Sequence, residues 1–210
     1  MTKKSAQRAK AGPLSTGIAG LDDVLNGGFS QGRTFLIEGK PGTGKTTIAL
    51  EFLRAGAAAG ERCLYITLSE TEDELRSSAA SHGWKLDGIE VFELLPPENL
   101  LSEDQQQSLL YSSDLELGET TRRIFEAFES IKPDRVVLDS LSEIRLLAQG
   151  SLRYRRQILA LKHFFAQRKT TVLLLDDLTS EGNDKTVHSV AHGVILLEEL
   201  APEYGADRRR

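Results

Sequence analysis

Gly39-Lys-Pro-Gly-Thr-Gly-Lys45-Thr46 sets three glycines, a lysine and a hydroxyl in the spacing G-x-x-x-x-G-K-[ST]. Glycine admits backbone angles closed to other residues, so successive N–H groups of such a loop can turn inward on a phosphate. Lys45 supplies a point charge for terminal phosphates, and the Thr46 hydroxyl is a ligand of the kind Mg²⁺ takes. Gly42, Thr43, Gly44, Lys45, Thr46 and Thr47 are therefore candidate nucleotide contacts. A helix starting near Lys45 adds the positive end of its dipole.

Hydrolysis of a phosphoanhydride needs two further groups: a carboxylate beside the metal, and a base that positions or deprotonates water. Asp139 closes the apolar run "RVVLDS" and is the candidate metal carboxylate. Glu70 lies 25 residues past Lys45, at the end of "LYITLSE", and is the candidate base. The competing reading of Glu70 is a surface glutamate favoured by a helix N-terminus. Asp176 and Asp177 end another apolar run, where one of them could sense a terminal phosphate or bind a neighbouring subunit. Ser140 is either a phosphate-side hydroxyl or a plain strand-end serine.

Other residues invite a bland reading. His188 and His192 stand four apart, but no cysteine or carboxylate in the sequence pattern completes a metal set. "RYRR" (153–156) reads equally as an interface or a solvated helix face. Trp84 is expected to pack over a helix end, and Glu198 and Glu199 read as surface charge.

The elements that must position these groups are short apolar runs at 34–39, 62–68, 88–95, 134–140, 170–177 and 193–200. Each is bounded by Gly, Pro or charge, as suits strands buried on both faces of a parallel sheet. Helical periodicity fills Lys45–Ala59, Thr71–His82, Glu119–Ile131 and Leu152–Gln167. Thr71 and Glu74 have capping-box spacing. Strand–helix alternation predicts a doubly wound α/β fold, whose ligands bind beyond the carboxyl ends of the strands. The stretch 96–118, with Pro96–Pro97 at its start, reads as a long covering or contact loop.

Of 210 residues, 40% are hydrophobic and 27% charged, a globular profile with no apolar run of membrane length. The single cysteine, Cys63, excludes an intrachain disulfide and reads as core filler. Together with the lack of an apolar signal core in residues 1–12, this predicts a cytoplasmic protein. Lysines and arginines cluster in a basic tail over 1–12 and in Arg208–Arg210. Without those seven charges, 19 basic face 31 acidic residues, which argues against a broad nucleic-acid footprint.

The segment "STGIAGLDDVLNGGFSQGRTFLIEGKPGTGKTT" resembles the opening of a KaiC domain, in the RecA-like ATPase superfamily. The resemblance runs on through "YITLSET", "SHGW", "VVLDSLS" and "HGVILLEEL". It implies a P-loop NTPase: a RecA-like, doubly wound, mainly parallel sheet flanked by helices, spanning 13–210. It also implies ATP and Mg²⁺ as cofactors, ATP held between the subunits of a hexameric ring, and slow hydrolysis. Clock or signalling partners, and autokinase activity of a full-length protein, belong to the same resemblance. Carried over to this sequence, Gly42 to Thr47 hold phosphate as the Walker A loop, Thr46 and Asp139 hold magnesium, and Lys45 and Glu70 are catalytic.

Two departures stand out. Paired glutamates are typical where this chain reads Ser69–Glu70, so fast hydrolysis is not expected. The chain ends at Arg210, where a further strand with basic residues that reach a neighbour's nucleotide is expected, followed by a second such domain. The alternatives are a nucleotide-clipped assembly module with little hydrolysis and, further off, a RecA-like recombinase acting on DNA.

Overall fold

The six apolar runs form one parallel sheet. The computed structural model describes residues 12–94, 109–178 and 187–200, and the backbone of 208–209. The strands are β1 (Thr34–Gly39), β2 (Cys63–Thr67), β3 (Ile89–Glu93), β4 (Arg135–Asp139), β5 (Thr171–Asp177) and β6 (Gly193–Leu197), in the order β3-β2-β4-β5-β1-β6. β1 lies inside the sheet, next to the edge strand β6, in register with β5 from Thr34↔Val172 and with β6 from Phe35↔Gly193. β1, β2 and β4 are buried along their whole length. That is why they read as unbroken apolar runs rather than alternating ones.

Helices cover both faces. α1 (Ala19–Val24) is a short lead-in, while α2 (Lys45–Ala58) and α3 (Glu72–Ser81) lie on one side. Their Leu50, Phe52, Leu53 and Leu75 pack against Ile37, Tyr65 and Val137 of the sheet. On the other side α4 (Leu109–Ile131), α5 (Leu141–Ala148) and α6 (Ser151–Gln167) bury Ile124, Phe128, Ile144 and Ile158 against Leu36, Leu64 and Leu138. Alternate strand residues thus feed two cores. Cys63 sits in the first of them, and its burial pushes the thiol up to about 12.

Several expectations meet their structure here. Thr71 caps α3 through the full reciprocal box with Glu74. Trp84 stacks on His82 with the Arg54 guanidinium 4.6 Å from its ring, over the end of α3. The expected loop over 96–118 is overturned in part: α4 begins at Leu109, so its second half is helical. Leu117 is the physical reason, because it extends the buried stripe of Ile124 and Phe128 by two turns. That burial offsets the roughly 1 kcal/mol a glycine such as Gly118 costs within a helix. Residues 95–108 and the basic tail over 1–11 lie outside the described residues. Arg208–Arg209 form β8, antiparallel to β7 (Glu199–Leu200). No helix among the described residues is long and apolar enough to cross a membrane.

Candidate nucleotide site

β1 ends at Gly39, the first residue of the loop, and α2 begins at Lys45, the last but one. Gly39 is close-packed: a Cβ there would lie 2.6 Å from Thr43 Oγ1 and 2.9 Å from the Leu197 carbonyl oxygen. Gly44, the α2 N-cap, has φ 100° and no side-chain cap. A Cβ on Gly42 or Gly44 would meet no atom within 4 Å, so the loop opens onto free space. The amides of α2's first turn have no intrahelical acceptor and carry the positive end of the helix dipole. Anion-sized room beside unspent amides is what a phosphate requires. Thr43 is buried and donates its hydroxyl to the Lys40 carbonyl at 2.8 Å, bracing the loop from within. Thr47 follows, half-buried, on the first turn of α2.

The sheet brings Asp139 to this loop from β4. The Thr46 hydroxyl donates to Asp139 Oδ2 at 3.3 Å, and the Tyr65 hydroxyl donates to the same oxygen at 2.5 Å. Burial pushes the Asp139 carboxyl above the usual range, helped by the charge of Asp177 and opposed by the Tyr65 and Thr46 hydrogen bonds. Burial and Asp139 likewise hold the Tyr65 phenol well above its ordinary value. A hydroxyl and a carboxylate side by side are the oxygen donors that Mg²⁺ takes, so the residues present fit that ion.

Glu70 stands just beyond β2, half-buried, its backbone N–H and carbonyl both held by the Thr67 hydroxyl, at 2.9 and 2.8 Å. Burial raises its carboxyl, with the Asp139 charge next and Glu74 after that. A raised carboxyl is a better proton acceptor than an ordinary glutamate.

β5 splits its two terminal aspartates between the faces. Asp177 pairs with Lys45 Nζ at 2.8 Å, on the loop side. Asp176 points to the other core, is 1% exposed, and pairs with Arg145 at 2.5 Å and with the Ser142 hydroxyl at 3.1 Å. The two histidines lie in a turn rather than on a helix. His188 bonds Glu38 at 2.7 Å, and His192 accepts from the Thr34 amide at 3.1 Å. Among the described residues no His, Cys, Asp and Glu cluster could hold a metal.

The KaiC ATPase family model matches residues 14–210. This chain belongs to the KaiC family. A circadian clock oscillator KaiC of Thermostichus vulcanus is 30% identical across 86% of this chain, which spans 34% of that relative's length. A UPF0273 protein of Methanopyrus kandleri is 27% identical over 88% of this chain and 76% of its own. In three dimensions the chain is similar to a KaiC-like protein from Pyrococcus horikoshii, with TM-score 0.76, 25% identity, and coverage of 95% of this chain and 86% of that one. The RecA-like P-loop fold is thereby shared.

Within this KaiC-family sheet, four contacts carry no sequence signal. Tyr65 on Asp139, Asp177 on Lys45, Arg145 on Asp176 and His188 on Glu38 each join residues from different elements. Only strand pairing and the packing of helices and loops on the strand ends bring them together. The neighbouring ends of β2, β4 and β5 were the available hint. Ser69 is exposed beside Glu70.

Proposed function

We propose that this KaiC-family domain binds Mg·ATP and hydrolyses it slowly, within a homo-oligomeric ring whose conformation follows the nucleotide. The observation that carries the reading is the Thr46–Asp139 contact at the mouth of an open glycine cradle. Gly42 to Thr47 hold the phosphates through backbone amides, and Lys45 places its charge on the terminal ones. Thr46 and Asp139 hold the magnesium. When bound, the ion neutralises charge on the β- and γ-phosphate oxygens. Glu70 accepts the proton of the attacking water, and its raised carboxyl matches that task.

Ser69 makes turnover slow: an exposed hydroxyl occupies the position where a first carboxylate is typical. The same residue favours the second reading, a nucleotide clip that holds subunits together with little turnover. Nucleic acid is disfavoured by the acidic body.

Calorimetric titration of the full chain with ATP and Mg²⁺, followed by phosphate release, tests the proposal. A dissociation constant within about 1 μM–1 mM and turnover below about 1 s⁻¹ are expected. No detectable ATP binding would overturn both readings. Binding without phosphate release would leave the clip.

A further inference from the structure

An ammonium group has three N–H donors and no more. In this chain all three of Lys45 are engaged. Nζ lies 2.9 Å from the Gly39 carbonyl oxygen, 3.0 Å from the Lys40 carbonyl oxygen and 2.8 Å from Asp177 Oδ1. The lysine side chain is itself 9% exposed, so water offers little alternative. A phosphate oxygen can receive a hydrogen bond from Lys45 only if one acceptor gives way.

Two of the three acceptors are backbone groups of the loop, and Gly39 is fixed by its sheet register with β5 and β6. The third is a side chain at the last position of β5, 32% exposed and free to turn about its own bonds. Asp177 is in register with Gly39, directly beside the loop's first residue. The exchange therefore falls on Asp177.

The charge balance points the same way. Asp139 and Glu70 stand near the same mouth, Asp139 bonded to Thr46 at 3.3 Å and Glu70 just beyond the end of β2. Lys45 is the cation that Asp177 holds. A polyphosphate approaching without a metal meets more negative than positive charge, and must also take Lys45 from a carboxylate.

Resting on the proposed nucleotide reading, we propose that Asp177 is a displaceable counter-ion that competes with the terminal phosphate for Lys45. By that competition it makes the metal-loaded nucleotide the form this site accepts. Asp177 is then a specificity-determining residue for the charge state of the ligand.

The test compares the 210-residue chain with Asp177→Asn and Asp177→Glu, by calorimetry with ATP in Mg²⁺ and with ATP in EDTA. Asparagine keeps the shape and removes the charge. It should tighten ATP binding about tenfold or more, as expected when a charged competitor for one charge-assisted bond is removed. The gain should be larger in EDTA than in Mg²⁺, so the metal dependence of binding shrinks. Asp177→Glu keeps the charge and should retain the parent's metal dependence. Thermal unfolding supplies a second reading: Asp177→Asn should melt lower than the parent without nucleotide and show a larger upward shift with Mg·ATP. Equal or weaker ATP binding by Asp177→Asn, in a parent that binds, would overturn the competition. A parent that binds no ATP in either condition would instead remove the nucleotide reading on which it rests.

Discussion

β4 begins with a buried arginine and ends with a buried aspartate, and the two ends are built to opposite purposes. Arg135, 2% exposed, pairs with Glu61, donates to the Ser15 carbonyl at 2.7 Å and to the Phe52 carbonyl at 2.8 Å, and lies 4.7 Å from the Phe52 ring centroid. Two of those partners are main-chain groups, from the lead-in and from α2. Asp139, 9% exposed, is held among the described residues by the side-chain hydroxyls of Thr46 and Tyr65. The guanidinium is locked, whereas the carboxylate can trade partners. Comparable burial therefore does not mean comparable role: the chemistry of the partners separates a clamp from a working site.

The sharpest probe of the working end is Glu70→Gln. It keeps the shape and removes proton acceptance, so phosphate release should fall about 10²–10⁴-fold while ATP affinity in calorimetry holds. Unchanged turnover would move the base elsewhere.

The locked end should answer in stability. Arg135→Met leaves Glu61 unpaired and two carbonyls undonated, and should cost about 3–5 kcal/mol in denaturant unfolding. The molecules that still fold should bind ATP. The mirror change, Asp139→Asn, should cost little or no stability, because burial already disfavours the charge there, while magnesium-dependent affinity collapses. If Asp139→Asn destabilised the fold as much as Arg135→Met, the contrast between clamp and working site would be broken.

Lys45→Ala should weaken ATP binding by at least about ten- to a hundredfold, the worth of one charge-assisted contact, with a modest change in melting temperature.

The smallest effects are in pH, and their signs differ at the two ends. Glu70 and Asp139 titrate above their ordinary values in the folded chain. Their contribution to stability is full below the ordinary carboxylate range and is lost as pH rises through the folded values. Phosphate release needs Glu70 ionised, so its acid limb should lie above the ordinary 4.5 and vanish in Glu70→Gln. Asp22, near the clamp, behaves oppositely. Burial works to raise it, but hydrogen bonds from Ser15 and Thr16 outweigh that and hold it low. Its contribution is present above 3.8 and is lost as pH falls through the folded value. Acid unfolding of Asp22→Asn against the parent reads this directly.

Much of this plan was legible in the residues because it is local. The glycine–lysine–threonine loop, the strand-end Asp139 and the Thr71–Glu74 box each declare themselves within a few positions. α5 escaped because it follows β4 directly, with only eight residues to show a period. The start of α4 escaped because serines and Gly118 dilute its apolar stripe. The Arg135 clamp and the Asp177–Lys45 pair had no local trace at all, since the partners of Arg135 lie 74, 83 and 120 residues away in the chain and those of the pair 132 apart.

The place of β1, between two strands made late, also sets a timetable for the growing chain. The strand that carries the phosphate loop is made early, yet its neighbours are β5, beginning opposite it at Val172, and β6, at Gly193. At about 5–20 residues per second, the ribosome reaches Val172 on the order of ten seconds after Thr34 has been joined. Until then the loop has a helix behind it and no sheet beneath it. β2 and β3, which pair with each other, are finished first, and β4 joins β2 next. The parallel, long-range pairing of β1 is the kind of contact that forms slowly. The loop proposed to hold a nucleotide is thus among the last parts of this protein to gain its support.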